Sequence, residues 1–402
     1  MKIKKASLIN LTLIIYILCA IITDEGATVM QMGRLYLMAV FGATFLSKHF
    51  KLKVNQYVWW LIIFLLFALL SIIWASNYAI AASMSKTLAI NVLCMYALMY
   101  LIDFRRDRIK VVLKTCIIAP VLLEIRVIIS GGIFAFLNAR VSGGISGNTI
   151  GLCAAFGACM AAYFWLQNKN KLAYGSLFVI DVLIVILSSS RKALLCVFIP
   201  ILFVYIFNHK DSFLKIIWKI VVVVVLLFVG CFAIIKVPLL YATVGNRIES
   251  MLAMLIGDIS AADASSLTRF RLIAWGMEWF KQNPWKGYGI DNYRIILHFY
   301  HPDYPLSYYA HNNYVELLVD VGVVGFILYY WNYAAIFLRG FRFRKQIGNE
   351  EILFIGMLIA LMINEYGLVS YYDKYIQILI LIIWIVIYRL GKSAEDKSVG
   401  RR

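Results

Sequence analysis

Charge is what this chain of 402 residues has least of: 15% of its side chains are charged, whereas 63% are apolar. At a mean hydropathy of +0.82, no soluble domain has core enough to hide that much apolar surface, so a string of soluble domains is excluded. Paired cysteine motifs are missing too. The seven cysteines (Cys19, Cys94, Cys116, Cys153, Cys159, Cys196, Cys231) all lie in apolar runs, with no CxxC pair or His-rich neighbour. They read as small buried hydrophobes, and neither a disulfide framework nor a metal site is implied. There is no internal repeat of the kind that repeat-built transporters carry. Low-complexity sequence is confined to Val221 to Val225, and no small-residue cleavage site follows the first apolar run, which is expected to stay as a span. These absences leave one integral membrane domain over 1–402.

What is present is a series of about twelve apolar runs of the length a helix needs to cross about 30 Å of hydrocarbon. They lie near 7–23, 28–47, 57–75, 79–102, 111–129, 148–167, 172–189, 192–208, 214–236, 313–338, 352–369 and 375–390. An all-α polytopic membrane protein is expected. The basic residues decide its orientation. Alternate connections carry Lys2, Lys4 and Lys5; Lys48, Lys51 and Lys53; Arg105, Arg106, Arg108 and Lys110; Lys169 and Lys171; Lys210 and Lys215; Arg339, Arg342, Arg344 and Lys345; and the tail with Lys392, Lys397, Arg401 and Arg402. The intervening connections are nearly bare. Both termini are therefore expected in the cytoplasm, and the net charge of +18 is mostly a topology signal, which removes nucleic acid as a partner.

One long polar stretch, 237–312, falls on the outer side and is expected to be an extracytoplasmic loop with structure of its own. Leu267, Phe270, Ile273 or Ala274, Met277 and Phe280 have helical spacing. Asn283-Pro284 ends that helix, Gly287-Tyr288-Gly289 makes a turn, and Ile290 to Phe299 reads as a second short helix. Tyrosines from Tyr241 to Tyr314, among them Tyr288, Tyr308 and Tyr309, offer flat surfaces with polar tips that suit sugar rings; an interfacial aromatic belt would enrich tyrosine in the same way.

Of the five histidines, His49 and His209 sit beside cytoplasmic lysines, while His298, His301 and His311 lie outside. His311, at the mouth of a span, can accept a proton from a hydroxyl; the same position suits a helix cap, with His311, Asn312 or Asn313 satisfying free amides. Arg191, after Ser188-Ser189-Ser190, and Arg269 and Arg271, at the start of the loop helix, have forks suited to phosphate, or they contact lipid headgroups. Ionisable residues inside the runs are Arg34, Lys86, Glu124, Arg126, Asp181, Glu316, Asp320 and Glu365. Glu316 and Asp320 share one helix face. They orient the histidine or a sugar hydroxyl, or they pair with Arg34, Lys86 or Arg126.

Three stretches resemble the O-antigen ligase and O-antigen polymerase superfamily of bacterial membrane glycosyltransferases. His311-Asn312, then nine residues, then Gly322-Val323-Val324-Gly325 is similar to the family's H-[N/S/Q]-x9-G-x-x-G. "TRFRLIAWGMEWFKQNPWKGYG" resembles its arginine, amphipathic helix and N-P-x-x-G-x-G. "SSSRKALL" resembles its S-R-G segment, with Lys192 in place of the glycine. The resemblance implies a GT-C-like fold of about twelve transmembrane helices in the cytoplasmic membrane. It also implies a metal-independent, inverting transfer from an undecaprenyl-diphosphate-linked glycan, with no cofactor. By matching position, His311 is then the base, and Arg191 and Arg269, with Arg271 as competitor, grip the diphosphate. Asn312, Glu316, Asp320, Tyr288, Tyr308 and Tyr309 are candidates for orienting or sugar binding. Donor and acceptor are lipid-linked glycans in the bilayer, and a flippase and a chain-length regulator are partners of the same kind of system. "YAHNNYVELLVDVGVVGFILYY" and "GYGIDNYR" look more like the repeat-unit polymerases than like the ligase that acts on lipid A core. A flippase for the same lipid is the non-enzyme alternative, but it would carry its charges near the midplane in two similar halves.

Overall fold

A computed structural model describes residues 2–24, 26–48, 51–131, 141–142, 145–167, 170–188, 190–208, 211–236 and 264–390. Within these the chain is helical apart from a two-residue antiparallel ladder, Val141–Ser142 with Ile145–Ser146. The first helices are α1 (Lys2–Ile22), α2 (Thr28–Ser47), α3 (Gln56–Ser71), α4 (Tyr78–Ile102) and α5 (Arg106–Gly131). Next come α6 (Gly147–Leu166), α7 (Lys171–Leu187), α8 (Arg191–Ile206) and α9 (Phe213–Lys236). The chain closes with α10 (Ala264–Gln282), α11 (Tyr293–Tyr300), α12 (Asn313–Arg342), α13 (Asn349–Glu365) and α14 (Lys374–Tyr388).

Each of the twelve apolar runs carries a helix, and the two breaks that divide neighbouring runs are real. Asn77 caps α4 through its side chain, accepting from the amides of Ala79 and Ile80 at 3.1 and 3.2 Å, and Ser190 precedes α8. Five described helices are long and apolar enough to cross a membrane: Thr28–Ser47, Gln56–Trp74, Tyr78–Ile102, Gly147–Leu166 and Asn313–Arg342. Of the twelve expected spans, five meet that measure among the described residues. α12, at 30 residues, is about 45 Å long by the 1.5 Å rise per residue and outreaches the hydrocarbon.

The bundle is built around two helices that are apolar on all sides, the pattern of an element surrounded by others. α6 is packed by α5, α7, α8 and α13. α14 buries every residue from Lys374 to Ile387, against α1, α4, α12 and α13. The connections gather at two ends of the bundle. At one end Lys48 and Lys53 meet Asp103, and Gln167 bonds Glu350 at 3.0 Å. At the other, the Lys374 ammonium bonds the Thr23 carbonyl at 2.9 Å, Lys192 bonds the Gly367 carbonyl, and Ser76 N–H bonds Tyr288 O at 2.9 Å. The first part of the long polar stretch, 237–263 with Tyr241, lies outside the described residues, as do Arg140 and the tail from 391.

The described part of that stretch forms a second small core. Leu272, Trp279, Tyr293, Ile296, Leu297, Ala310, Val315 and Val319 pack together. Of the expected face of α10, Ile273, Met277 and Phe280 pack against this core, Phe270 is exposed, and the buried positions are Leu272, Gly276 and Trp279. Contact with α12 sets this centre: Gly276 lets the helices close until a Cβ there would strike the Val315 side chain, and the large rings of Trp279 and Tyr293 meet beside it at 5.4 Å. The second loop helix begins at Tyr293 rather than Ile290. The three residues before it are committed elsewhere: the Ile290 amide to Ser71 Oγ (3.0 Å), the Asp291 amide to Asp320 Oδ2 (2.8 Å), and Asn292 N–H to Gly289 O (3.1 Å).

Candidate active site

α12 is broken at Gly322, whose φ of +65° and ψ of −171° belong to a region open essentially to glycine alone. The break frees two carbonyls and two amides, and the Pro284–Gly289 turn takes up all four. Tyr288 N–H donates to Val319 O (2.9 Å) and Gly289 N–H to Asp320 O (2.8 Å), while Val323 and Val324 donate to Pro284 O (2.8 Å) and Trp285 O (3.4 Å). Gly287 and Gly322 face each other's strands of this interlock so closely that a Cβ on either would meet the opposite backbone. N-P-W-K-G-Y-G and H-N-x9-G-x-x-G are thus two halves of one joint.

Asp320 and Glu316 tighten that joint from inside. Asp320, fully buried, accepts from the amides of Tyr293 (Oδ1, 2.6 Å) and Asp291 (Oδ2, 2.8 Å). Glu316 accepts from the Ala310 amide at 2.7 Å, next to His311. Neither takes the span cations proposed as partners: Arg34 reaches Asn91 Oδ1 at 3.5 Å and Arg126 reaches the Ile22 carbonyl. Glu316 thus holds the backbone next to His311, and Asp320 holds the start of α11. Asp291 is itself paired with Arg294 at 2.5 Å, and burial raises its pKa to about 6 against the opposing pull of that arginine.

The cap of α12 is Asn312, not His311. Its Oδ1 accepts from the amides of Tyr314 (3.0 Å) and Val315 (3.1 Å). Asn313 crosses to the α13–α14 connection, accepting from Ser370 and Tyr371 N–H at 2.9 and 3.2 Å. His311 is thereby free of the capping role. It stands in the left-handed region at φ +52°, with the Tyr309 ring against it at 4.0 Å and Tyr308 edge-on at 6.3 Å. Neither ring nitrogen has a hydrogen bond among the described residues. The other two outer histidines are engaged: His298 Nδ1 with Tyr304 O at 2.8 Å, and His301 stacked on Trp275 at 3.6 Å.

The His311 pKa is lowered to about 4, chiefly by burial and then by the positive charges of Arg269 and Lys192. The ring is therefore neutral near pH 7. Arg269 is half-buried and its charge also bears on Tyr309, while Arg271 is exposed on the other side of α10. Arg191, the first residue of α8, is exposed; its neighbour Lys192 is turned inward to the Gly367 carbonyl. Tyr288 is held in the small core, its hydroxyl 3.3 Å from Trp279 O. Lys192 is the residue sequence reasoning passed over, since it stood only as a departure from a glycine. The Asp291–Arg294 pair was also missed, although its i,i+3 spacing in "GYGIDNYR" was a usable signal.

Residues 175–330, which hold the α7–α8 turn, the loop helices, the interlock and His311, match the family model described as O-antigen ligase. The resemblance to the O-antigen ligase and polymerase superfamily is borne out. The match and the apolar helices together mark a membrane protein, and the family points to an enzyme that transfers glycans in the manner of O-antigen ligases and polymerases. No curated protein matches the chain.

Proposed function

We propose that this protein polymerises undecaprenyl-diphosphate-linked oligosaccharide repeat units by inverting glycosyl transfer on the outer face of the cytoplasmic membrane. The observation that carries the reading is His311: neutral, with neither ring nitrogen hydrogen-bonded among the described residues, and within the influence of the cations Arg269 and Lys192. In this scheme His311 takes the proton of an acceptor sugar hydroxyl as the hydroxyl oxygen attacks the donor's anomeric carbon. The anomeric carbon–oxygen bond breaks on the opposite side, the configuration inverts, and the lipid diphosphate departs with the bonding pair. Arg269 and Lys192, with Arg191 at the positive end of α8, stabilise the charge that develops on it.

The same cations make the base responsive to substrate. A bound diphosphate offsets the charges that now depress His311, so its affinity for a proton rises when the donor is in place. A base with a pKa nearer to the working pH is the better catalyst.

The likeness of "YAHNNYVELLVDVGVVGFILYY" and "GYGIDNYR" to repeat-unit polymerases favours chain growth over transfer to lipid A core. Purified protein given only lipid-linked repeat units tests this. Ladders of lengthened lipid-linked glycan are expected from the wild type, and single units alone from His311→Ala. Elongation that is unchanged in His311→Ala removes the histidine from the reaction, while product formed only on addition of lipid A core makes the protein a ligase.

A further inference from the structure

A polar cavity lies apart from His311, at the same end of the bundle. It encloses about 380 Å³ between the α1–α2 turn, α4, the start of α6 and the α13–α14 connection. That volume is within the range of small-molecule sites, about 300–1,000 Å³. Its polar lining comes from four separate parts of the chain: Asp24, Thr87, Ser146 with Thr149, and Tyr372 with Asp373.

The walls are held in place before any ligand arrives. Asp373 caps α14, with Oδ1 accepting from Tyr375 and Ile376 N–H at 2.8 and 3.0 Å. Lys374, also in the lining, ties α14 to the α1–α2 turn through the Thr23 carbonyl. Asn91 Nδ2 donates to the Tyr372 carbonyl at 2.8 Å, fixing the connection that carries the ring.

Its chemistry is the reverse of that around His311. Two carboxylates, Asp24 and Asp373, outnumber the one lysine, so a diphosphate is disfavoured here. Carboxylates and hydroxyls flanked by an aromatic ring suit the hydroxyl groups and apolar faces of sugars. Tyr372 joins the two regions. The connection that carries it is tied to the residue two positions after His311: Asn313 Oδ1 accepts from the amides of Ser370 and Tyr371 at 2.9 and 3.2 Å.

We infer that this cavity is a glycan subsite for the acceptor, taking uncharged, hydroxyl-rich sugar residues of the chain whose terminal hydroxyl is presented to His311. The inference rests on the transfer reading above for the word acceptor, but the binding itself does not.

The test uses the full chain in nanodiscs and, as probe, the soluble repeat-unit oligosaccharide released by mild acid, which lacks lipid and diphosphate. Saturation-transfer NMR should show binding to wild type and equally to His311→Ala. Asp24→Ala and Thr87→Val should weaken it at least fivefold, and Thr149→Trp, from an exposed position, should fill the cavity and block it without disturbing the packed core. In elongation assays the same variants should raise the acceptor KM and leave kcat within about twofold. Failure of the wild type to bind the oligosaccharide overturns the inference, as does undiminished binding by Thr149→Trp. Binding that follows this pattern in a protein that elongates nothing retains the subsite and refutes the transfer reading instead.

Discussion

The two ends of the segment from His311 to Gly322 are built on opposite terms. At Gly322 the broken helix has its freed carbonyls and amides answered by the Pro284–Gly289 turn, and the carboxylates beside it accept from backbone amides. At His311 a ring whose nitrogens have no hydrogen bond among the described residues stands under the influence of two cations. The difference separates what must stay from what must bind. Strain and buried charge at the joint are met by partners within the protein, and Lys192 by the Gly367 carbonyl, whereas the His311 ring has no hydrogen-bond partner among the described residues.

His311→Ala and Gly322→Ala should break this comparison in opposite directions. His311→Ala is expected to lower transfer by ~10²–10⁴-fold, the usual contribution of general base catalysis, with thermal unfolding in detergent unchanged. Gly322→Ala forces both a disallowed backbone region and a clash with Trp285, at a cost of about 2–5 kcal/mol, which should appear as a large drop in thermal midpoint. A Gly322→Ala protein as stable as the wild type would refute the joint.

Arg269 and Arg271 sharpen the picture on one helix. Arg269→Ala should reduce kcat by roughly 10–100-fold, while Arg271→Ala, on the exposed face, should change it less than about twofold. Equal losses would show that the pocket extends around α10. Asp320→Asn replaces one amide acceptor by a donor and should cost ~1–3 kcal/mol of stability, read by the same unfolding measurement.

The smallest effect is in pH dependence. His311 is held neutral down to about pH 4 in the free enzyme, so the acid limb of kcat/KM should fall near 4, below the usual histidine value. Removing the Arg269 charge favours the protonated ring and should move that limb upward. The acid limb of kcat, which reports the loaded enzyme, should lie at higher pH than that of kcat/KM because the diphosphate offsets the same charges. Limbs that coincide would mean that the donor's charge does not reach His311.

Much of this was legible in the chain. Apolar runs mark the helices because lipid allows few other ways to satisfy the backbone, and Asn283-Pro284 ends α10 where proline must end a helix. The face of α10 was legible in Ile273, Met277 and Phe280, which pack on the small core, but its centre is at Leu272, Gly276 and Trp279, where contact with Val315 sets it. Glu316 and Asp320 were placed on the correct shared face, but their partners, backbone amides 6 to 29 residues away, have no signature in spacing. Lys192 was discounted because a local pattern cannot tell that its charge lies close to a histidine 119 positions later in the chain.

By itself, then, the sequence determined the membrane class, the helices and the motifs that gather in the loop, since hydropathy, capping and proline act within a few residues. The tertiary structure alone decided that two of those motifs form one joint, that Asn312 releases His311 from capping, and that Arg269 rather than Arg271 bears on it. These depend on how helices are rotated and set against each other, and on which charges packing then brings within reach of one another.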